Sequence, residues 1–196
     1  MDMTVTSLLI RDEARWAGAT RHPFLSAVRD GSLPERLFHT WLAQDRLFVA
    51  DLLWFQARLL ARAPRPAQAA LARGVSALVD ELSWLERHAT ARGLDRDAAP
   101  LEATSAYRRL LERLDGAPFP EALTALWLVE RAYLDAWSQA APGAPEYREF
   151  VAHWTAPEFA AYVSALEAAA DASPDGAAFD EVVEAERRFW EMAYAS

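Results

Sequence analysis

Three acidic residues stand on helical faces that are otherwise apolar, and their type and setting are where chemistry could be done. In Trp41-Leu42-Ala43-Gln44-Asp45-Arg46-Leu47-Phe48-Val49, the residues Trp41, Asp45 and Phe48 fall at i, i+4 and i+7 and share one face with Leu52 and Phe55. Glu130 shares a face with Leu126, Tyr133, Leu134 and Trp137. Glu186 lies with Val182, Val183, Phe189 and Trp190, whereas Glu184 lies toward Arg187 and Arg188 and is expected in solvent. A carboxylate among apolar groups is costly unless it is hydrogen-bonded or has a task. The same setting raises a carboxyl pKa toward neutrality. Paired carboxylates in an apolar cleft suit acid–base work on a water or an amine, and they also suit metal binding or plain structure. For Asp45 the structural reading is a carboxylate satisfied by a neighbouring Arg or by backbone.

The rest of the composition narrows these choices. The chain has no Cys, which excludes thiolate nucleophiles, thiolate metal ligands and disulfides. All 20 basic residues are Arg, so no lysine Schiff base or phosphate-loop lysine exists. Of the four His, His22 precedes a Pro, His39 stands early in a long helix, His88 is two turns from Glu81, and His153 adjoins Trp154. None follows His153, so the last helix has no imidazole to offer, and a complete two-metal carboxylate site is not expected. Each His is read as a helix cap or a core hydrogen-bond partner. No metal site and no cofactor are expected. Exposed Glu–Arg helix pairs account for most other charges, Glu81, Glu86 and Arg87 among them. A net charge of −9 opposes phosphate-rich partners, so neither nucleic acid nor an anionic membrane is expected to bind. No run approaches the roughly 18 apolar residues of a membrane helix, and no signal peptide is legible, so a cytoplasmic location is expected.

The elements that must position these residues are all helical. Periodicity predicts helices over 5–18, from His22-Pro23-Phe24 to about 28, 35–62, 67–91, 101–114, 120–140, 144–153, 156–170 and 177–194. Pro and Gly fall mainly between them, and Asp30-Gly31-Ser32-Leu33-Pro34 reads as a turn with Ser32 as cap and Pro34 at a first helical position. Alternating strand patterns are absent. An all-α bundle of seven to nine helices in a single domain over 1–196 is expected. Eight Trp, nine Phe and five Tyr suggest aromatic-lined cavities as well as core.

At these same positions the sequence resembles the TenA/thiaminase II family, from about residue 20 to the C-terminus. The matching stretches are His22-Pro23-Phe24 with Asp30-Gly31-Ser32-Leu33-Pro34, and Phe38-His39-Thr40-Trp41-Leu42-Ala43-Gln44-Asp45-Arg46-Leu47-Phe48. They continue with Tyr107, with Tyr147-Arg148-Glu149-Phe150 through Trp154 to Glu158-Phe159, and with Glu186-Arg187-Arg188-Phe189-Trp190-Glu191-Met192-Ala193. The resemblance implies a haem-oxygenase-like fold and hydrolysis of an aminopyrimidine in thiamin salvage, displacing an exocyclic amine or a thiazolium. It implies that Asp45 contacts the pyrimidine, that Glu186 handles protons, and that Tyr107 supports the site. It also implies a homo-oligomer, dimer or tetramer. The better-known branch uses a Cys nucleophile that this chain lacks, whereas Glu130-Arg131-Ala132-Tyr133 resembles a second branch with Glu in that region. Phe48 and Trp154 stand where Tyr is usual, which implies a drier pocket with fewer donors.

The resulting expectation is a small-molecule heterocycle hydrolase. Glu130 and Glu186 are its catalytic carboxylates, and Asp45, Trp41, Phe48, Tyr107, Tyr133 and Trp154 bind the substrate. A non-catalytic binder of an aromatic heterocycle and a metal-dependent oxidase on the same fold are the alternatives.

Overall fold

The computed structural model of the chain describes residues 4–95 and 97–195. It contains α1 (Thr6–Arg11), α2 (Glu13–Thr20), α3 (Pro23–Asp30), α4 (Glu35–Ala61) and α5 (Arg65–Ala91). These are followed by α6 (Glu102–Asp115), α7 (Phe119–Ala140), α8 (Arg148–Trp154), α9 (Pro157–Ala170) and α10 (Phe179–Ala195). The first two segments are the single helix expected over 5–18, interrupted at Asp12. That residue leaves helical geometry (φ −135°, ψ 58°) and its side chain accepts from the Arg15 N–H to cap α2. Counted as one broken rod they leave nine, and no strand occurs among the described residues. No helix among them is long and apolar enough to cross a membrane.

Three local expectations are corrected. Ser32 does not cap α4: its N–H is bound by Asp30 Oδ1, and Gly31 at φ 77° closes α3 in the left-handed region that glycine adopts without strain. Pro34 is the residue just before α4, outside the first turn. The helix expected from residue 144 begins only at Arg148, because Ala144 donates its N–H to Val28 O and Tyr147 closes a turn back onto Ala144 O. His22 does act as a cap, its Nδ1 accepting from Phe24 N at the start of α3.

α7 explains the architecture. Every residue from Ala122 to Glu130 is buried, so this helix is apolar on all sides and must be surrounded. α2, α3, α8, α9 and α10 pack around it. α4 lies along α5 and α6, and α10 runs against α4, α6 and α7. The three helices bearing the acidic residues thus meet in the core, with α6 and α9 beside them. Polar bonds tie α6 to α4. Gln44 Oε1 accepts from the Leu101 N–H (2.9 Å) and the Thr104 hydroxyl (2.6 Å), capping a helix start that has no side-chain cap of its own.

Candidate active site

Asp45, Glu130 and Glu186 are 0%, 6% and 1% exposed, and they are the only buried acidic residues among those described. Each faces a phenol from another helix. Tyr133 of α7 donates to Asp45 Oδ1 of α4 in a short hydrogen bond. Tyr107 of α6 donates to Glu186 Oε1 of α10 at 2.5 Å. Tyr162 of α9 stands 3.5 Å from Glu130 Oε1. Among the described residues Asp45 has neither the Arg nor the backbone partner of the structural reading. Its Oδ2 and the Oε2 of Glu186 have no hydrogen-bond partner among the described protein atoms. Buried polar atoms are nearly always paired, so these two oxygens, like the unpaired indole Nε1 atoms of Trp41, Trp137 and Trp190, are candidate contacts for a ligand or water.

The electrostatics follow from burial. Loss of hydration pushes Glu130 up to about 8, the charges of Glu81 and Glu186 push the same way, and a hydrogen bond donated by Tyr162 would oppose them. Burial also raises Glu186 to about 8, opposed by the Tyr107 hydroxyl. Asp45 is driven well above the usual carboxylate range, by burial first, then against the Tyr133 hydrogen bond, with Glu81 and Glu186 adding to the rise. Burial and the adjacent carboxylates keep the phenols of Tyr107 and Tyr133 protonated. Carboxyls placed near neutrality can both give and take a proton at working pH.

The aromatic residues named from sequence form one connected wall. Ring centroids are 5.6 Å apart for Trp41–Trp154, 5.8 Å for Tyr133–Trp154, 6.1 Å for Phe48–Tyr133 and 4.6 Å for Phe48–Tyr107. Trp137 stacks on Trp154 at 4.8 Å and Trp190 lies 5.9 Å from Tyr133, extending the wall to residues read only as face neighbours. The expected loss of donors is partly made good. Trp154 keeps one in its indole Nε1, which donates to Glu81 Oε1 at 3.2 Å.

Sequence reasoning missed four residues. Glu81, read as a member of an exposed Glu–Arg pair, is instead held by Trp154 and sits 3.6 Å from His153 Nε2, with its side chain only 13% exposed. Tyr162 donates to Gln56 Oε1 at 3.1 Å, and Gln56 Nε2 donates to Leu71 O at 3.0 Å. Gly74 makes room for that pair: a Cβ there would collide with Gln56 Nε2 and the Tyr162 hydroxyl. The available signals were a polar Gln continuing the apolar stripe of α4, a lone Gly inside a long helix, and one Tyr in an Ala-rich segment. A cleft of about 600 Å³, lined by Arg73, Glu81, His153, Phe159 and Tyr162 among others, opens beside this group. Through Tyr162 it borders Glu130, although none of the three buried carboxylates lines it. Among the described residues no group of three or more His, Asp or Glu is arranged to hold a metal ion.

Known proteins resemble this chain in sequence and fold. Residues 11–196 match the sequence model of the TENA/THI-4/PQQC family. A Glycine max protein named as a probable bifunctional TENA-E protein is 31% identical over 198 residues, spanning 90% of this chain and 86% of its own. A TenA homologue from Pyrococcus furiosus superposes with a TM-score of 0.91 at 28% identity, over 98% of this chain and 100% of that one. A putative TenA-like thiaminase from Sulfolobus solfataricus gives 0.81 at 19% identity over 98% and 96% of the two chains, a likeness of fold. The fold is the haem-oxygenase-like all-α one.

Proposed function

The chain belongs to the TENA/THI-4/PQQC family, and from that premise we propose that it hydrolyses an aminopyrimidine derived from thiamin, using buried carboxylates and no cysteine nucleophile. One observation carries the reading. Three carboxylates from three helices are buried beside one aromatic wall, and two of them keep an oxygen without a protein partner.

Asp45 anchors the ring. Tyr133 holds Oδ1, which leaves Oδ2 to meet the ring amidine, whose paired donor and acceptor suit a carboxyl group. Phe48, Tyr107, Tyr133 and Trp154 supply flat apolar surface for the heterocycle, and Trp41 packs edge-on behind Trp154. Glu130 and Glu186 share the proton work at the exocyclic carbon, where water forms a C–O bond as the C–N bond breaks. General acid–base catalysis of this kind contributes about 10² to 10⁴ in rate.

The test is incubation of purified protein with an aminomethyl-aminopyrimidine and, separately, with thiamin, followed by chromatography of the products. The expected outcome is the hydroxymethyl pyrimidine, with Asp45→Asn raising KM. Folded protein that turns over neither compound overturns the reading.

A further inference from the structure

The buried carboxylates differ in one respect: how many acceptors their tyrosines have. Among the described residues Tyr107 has one hydrogen-bond partner, Glu186 Oε1, and Tyr133 has one, Asp45 Oδ1, so each phenol proton points at its carboxyl group. Tyr162 faces two acceptors, Gln56 Oε1 at 3.1 Å and Glu130 Oε1 at 3.5 Å, and a phenol carries a single proton. Gln56 cannot turn its amide to relieve this. Its Nε2 is committed to Leu71 O, a carbonyl that can only accept, so its Oε1 must face Tyr162. The shorter contact takes the phenol proton. Tyr162 then presents only a lone pair to Glu130, and the O–O contact is favourable when Glu130 supplies the hydrogen.

We propose that Leu71 O, Gln56 and Tyr162 form a polarised hydrogen-bond chain that fixes the proton on Glu130, making it the acid of the carboxylate pair and Glu186 the base. Tyr162 and Gln56 are positioning residues in this scheme. The assignment rests on the hydrolase reading for its use, but not for its test. Burial raises both glutamates to about the same value, so it does not choose between them. Their partners do. The groups facing Glu130 are Glu81 of α5, Tyr107 of α6, Tyr162 of α9 and Glu186 of α10, while Asp45 of α4 faces Glu81 and Glu186. The acidic groups among them favour keeping one proton in the cluster, and the chain specifies where it stays. In turnover, water gives a proton to Glu186 as its oxygen bonds to the exocyclic carbon. The C–N electron pair leaves with nitrogen, which takes the Glu130 proton, and transfer from Glu186 back to Glu130 resets the pair.

The infrared C=O stretch of a protonated carboxyl, isolated by subtracting the Glu130→Gln spectrum, reports Glu130 directly and needs no substrate. Wild-type Glu130 should lose its proton at higher pH than Glu186, isolated likewise with Glu186→Gln. Tyr162→Phe removes the acceptor and should lower the Glu130 midpoint by about one pH unit. Gln56→Met, which frees the Tyr162 proton to turn to Glu130, should lower it too and serves if Tyr162→Phe does not fold. A rise in Tyr162→Phe means that the phenol donates to Glu130 and overturns the proposal. An unchanged midpoint in the folded variants overturns it as well. Since the readout is not turnover, a protein inactive on pyrimidines can still pass, and an active one can fail.

Discussion

Glu184 and Glu186 are two residues apart on α10 and experience opposite electrostatics. Glu184 is gripped by Arg187 through both carboxylate oxygens and by Arg188 through one, which pulls its pKa down to about 2. Glu186 faces the core, meets one phenol and no cation, and is raised to about 8. Residue type is identical, so the difference is set by a rotation of about 200° around the helix axis. The surface carboxylate of this pair is matched by two arginines, while the core one has no counter-ion beside it. A buried acid without a counter-ion is a poor stabiliser and a good proton handler.

The largest test of that contrast is catalytic. Glu186→Gln keeps the shape and a Tyr107 partner but cannot transfer a proton, so kcat should fall by about 10² to 10⁴. Glu184→Gln, on the solvated face, should leave initial rates unchanged. Equal rates in wild type and folded Glu186→Gln would erase the distinction between the two faces.

Stability should sharpen it next. Glu130 and Glu186 titrate near 4.5 when unfolded and near 8 when folded. Between those values the native state keeps protons that the unfolded chain has released, so stability falls as pH rises through the window. Glu184 runs the other way: its contribution is present above about 4.5 and is lost as pH falls toward 2. Melting temperatures from pH 5 to pH 8 should therefore decline in wild type and flatten in Glu186→Gln and Glu130→Gln. Each pH unit by which a buried carboxyl is displaced is worth about 1.4 kcal/mol, so the flattening amounts to several kcal/mol at most. A profile in these variants as steep as the wild-type one would break the argument.

A pair of glycines separates core from surface without any charge. Gly74→Ala drives a methyl group into the buried Gln56 and the half-buried Tyr162, which are hydrogen-bonded to each other, and should destabilise by about 1 to 3 kcal/mol. Gly18→Ala on α2 meets nothing within 4 Å and should stabilise by about 0.5 to 1 kcal/mol through helix propensity. Urea midpoints distinguish the two signs.

What was legible in the sequence follows the same line. Helix order and the inward faces of Asp45, Glu130 and Glu186 could be read because a 3.6-residue period reports burial on one helix at a time. Glu81 could not. Ala77, Leu78, Trp84 and Leu85 share its face, but Asp80, Glu86 and Arg87 beside it on α5 suggested an exposed pair, and its enclosure comes from α8, which brings Trp154 and His153 over it. Tyr162 and Gln56 were hidden for a related reason: their partnership spans α9 and α4, and the clearance at Gly74 comes from α5. Ser32 looked like a cap because the residue type is right, yet the preceding Asp30 claims its N–H. Properties of one helix were visible, and properties of helix pairs required the packing.

The smallest effect expected is the stability change in Glu184→Gln, although this carboxylate has the most hydrogen bonds of the acids discussed. It accepts from Arg187 Nη2 at 2.8 Å, Arg187 Nε at 2.9 Å and Arg188 Nε at 2.6 Å. The side chains are 37%, 39% and 57% exposed, so water already solvates all three and screens their attraction. Gln retains one acceptor oxygen for the arginines, and Arg187 also keeps Glu191. The loss at pH 7 should therefore stay within about 0.5 kcal/mol and shrink as salt is added. Urea midpoints at low and high ionic strength measure it. A loss of about 2 kcal/mol that salt does not diminish would mean that pairing, and not burial, governs the energetics of α10, and the contrast between its two faces would have to be drawn the other way round.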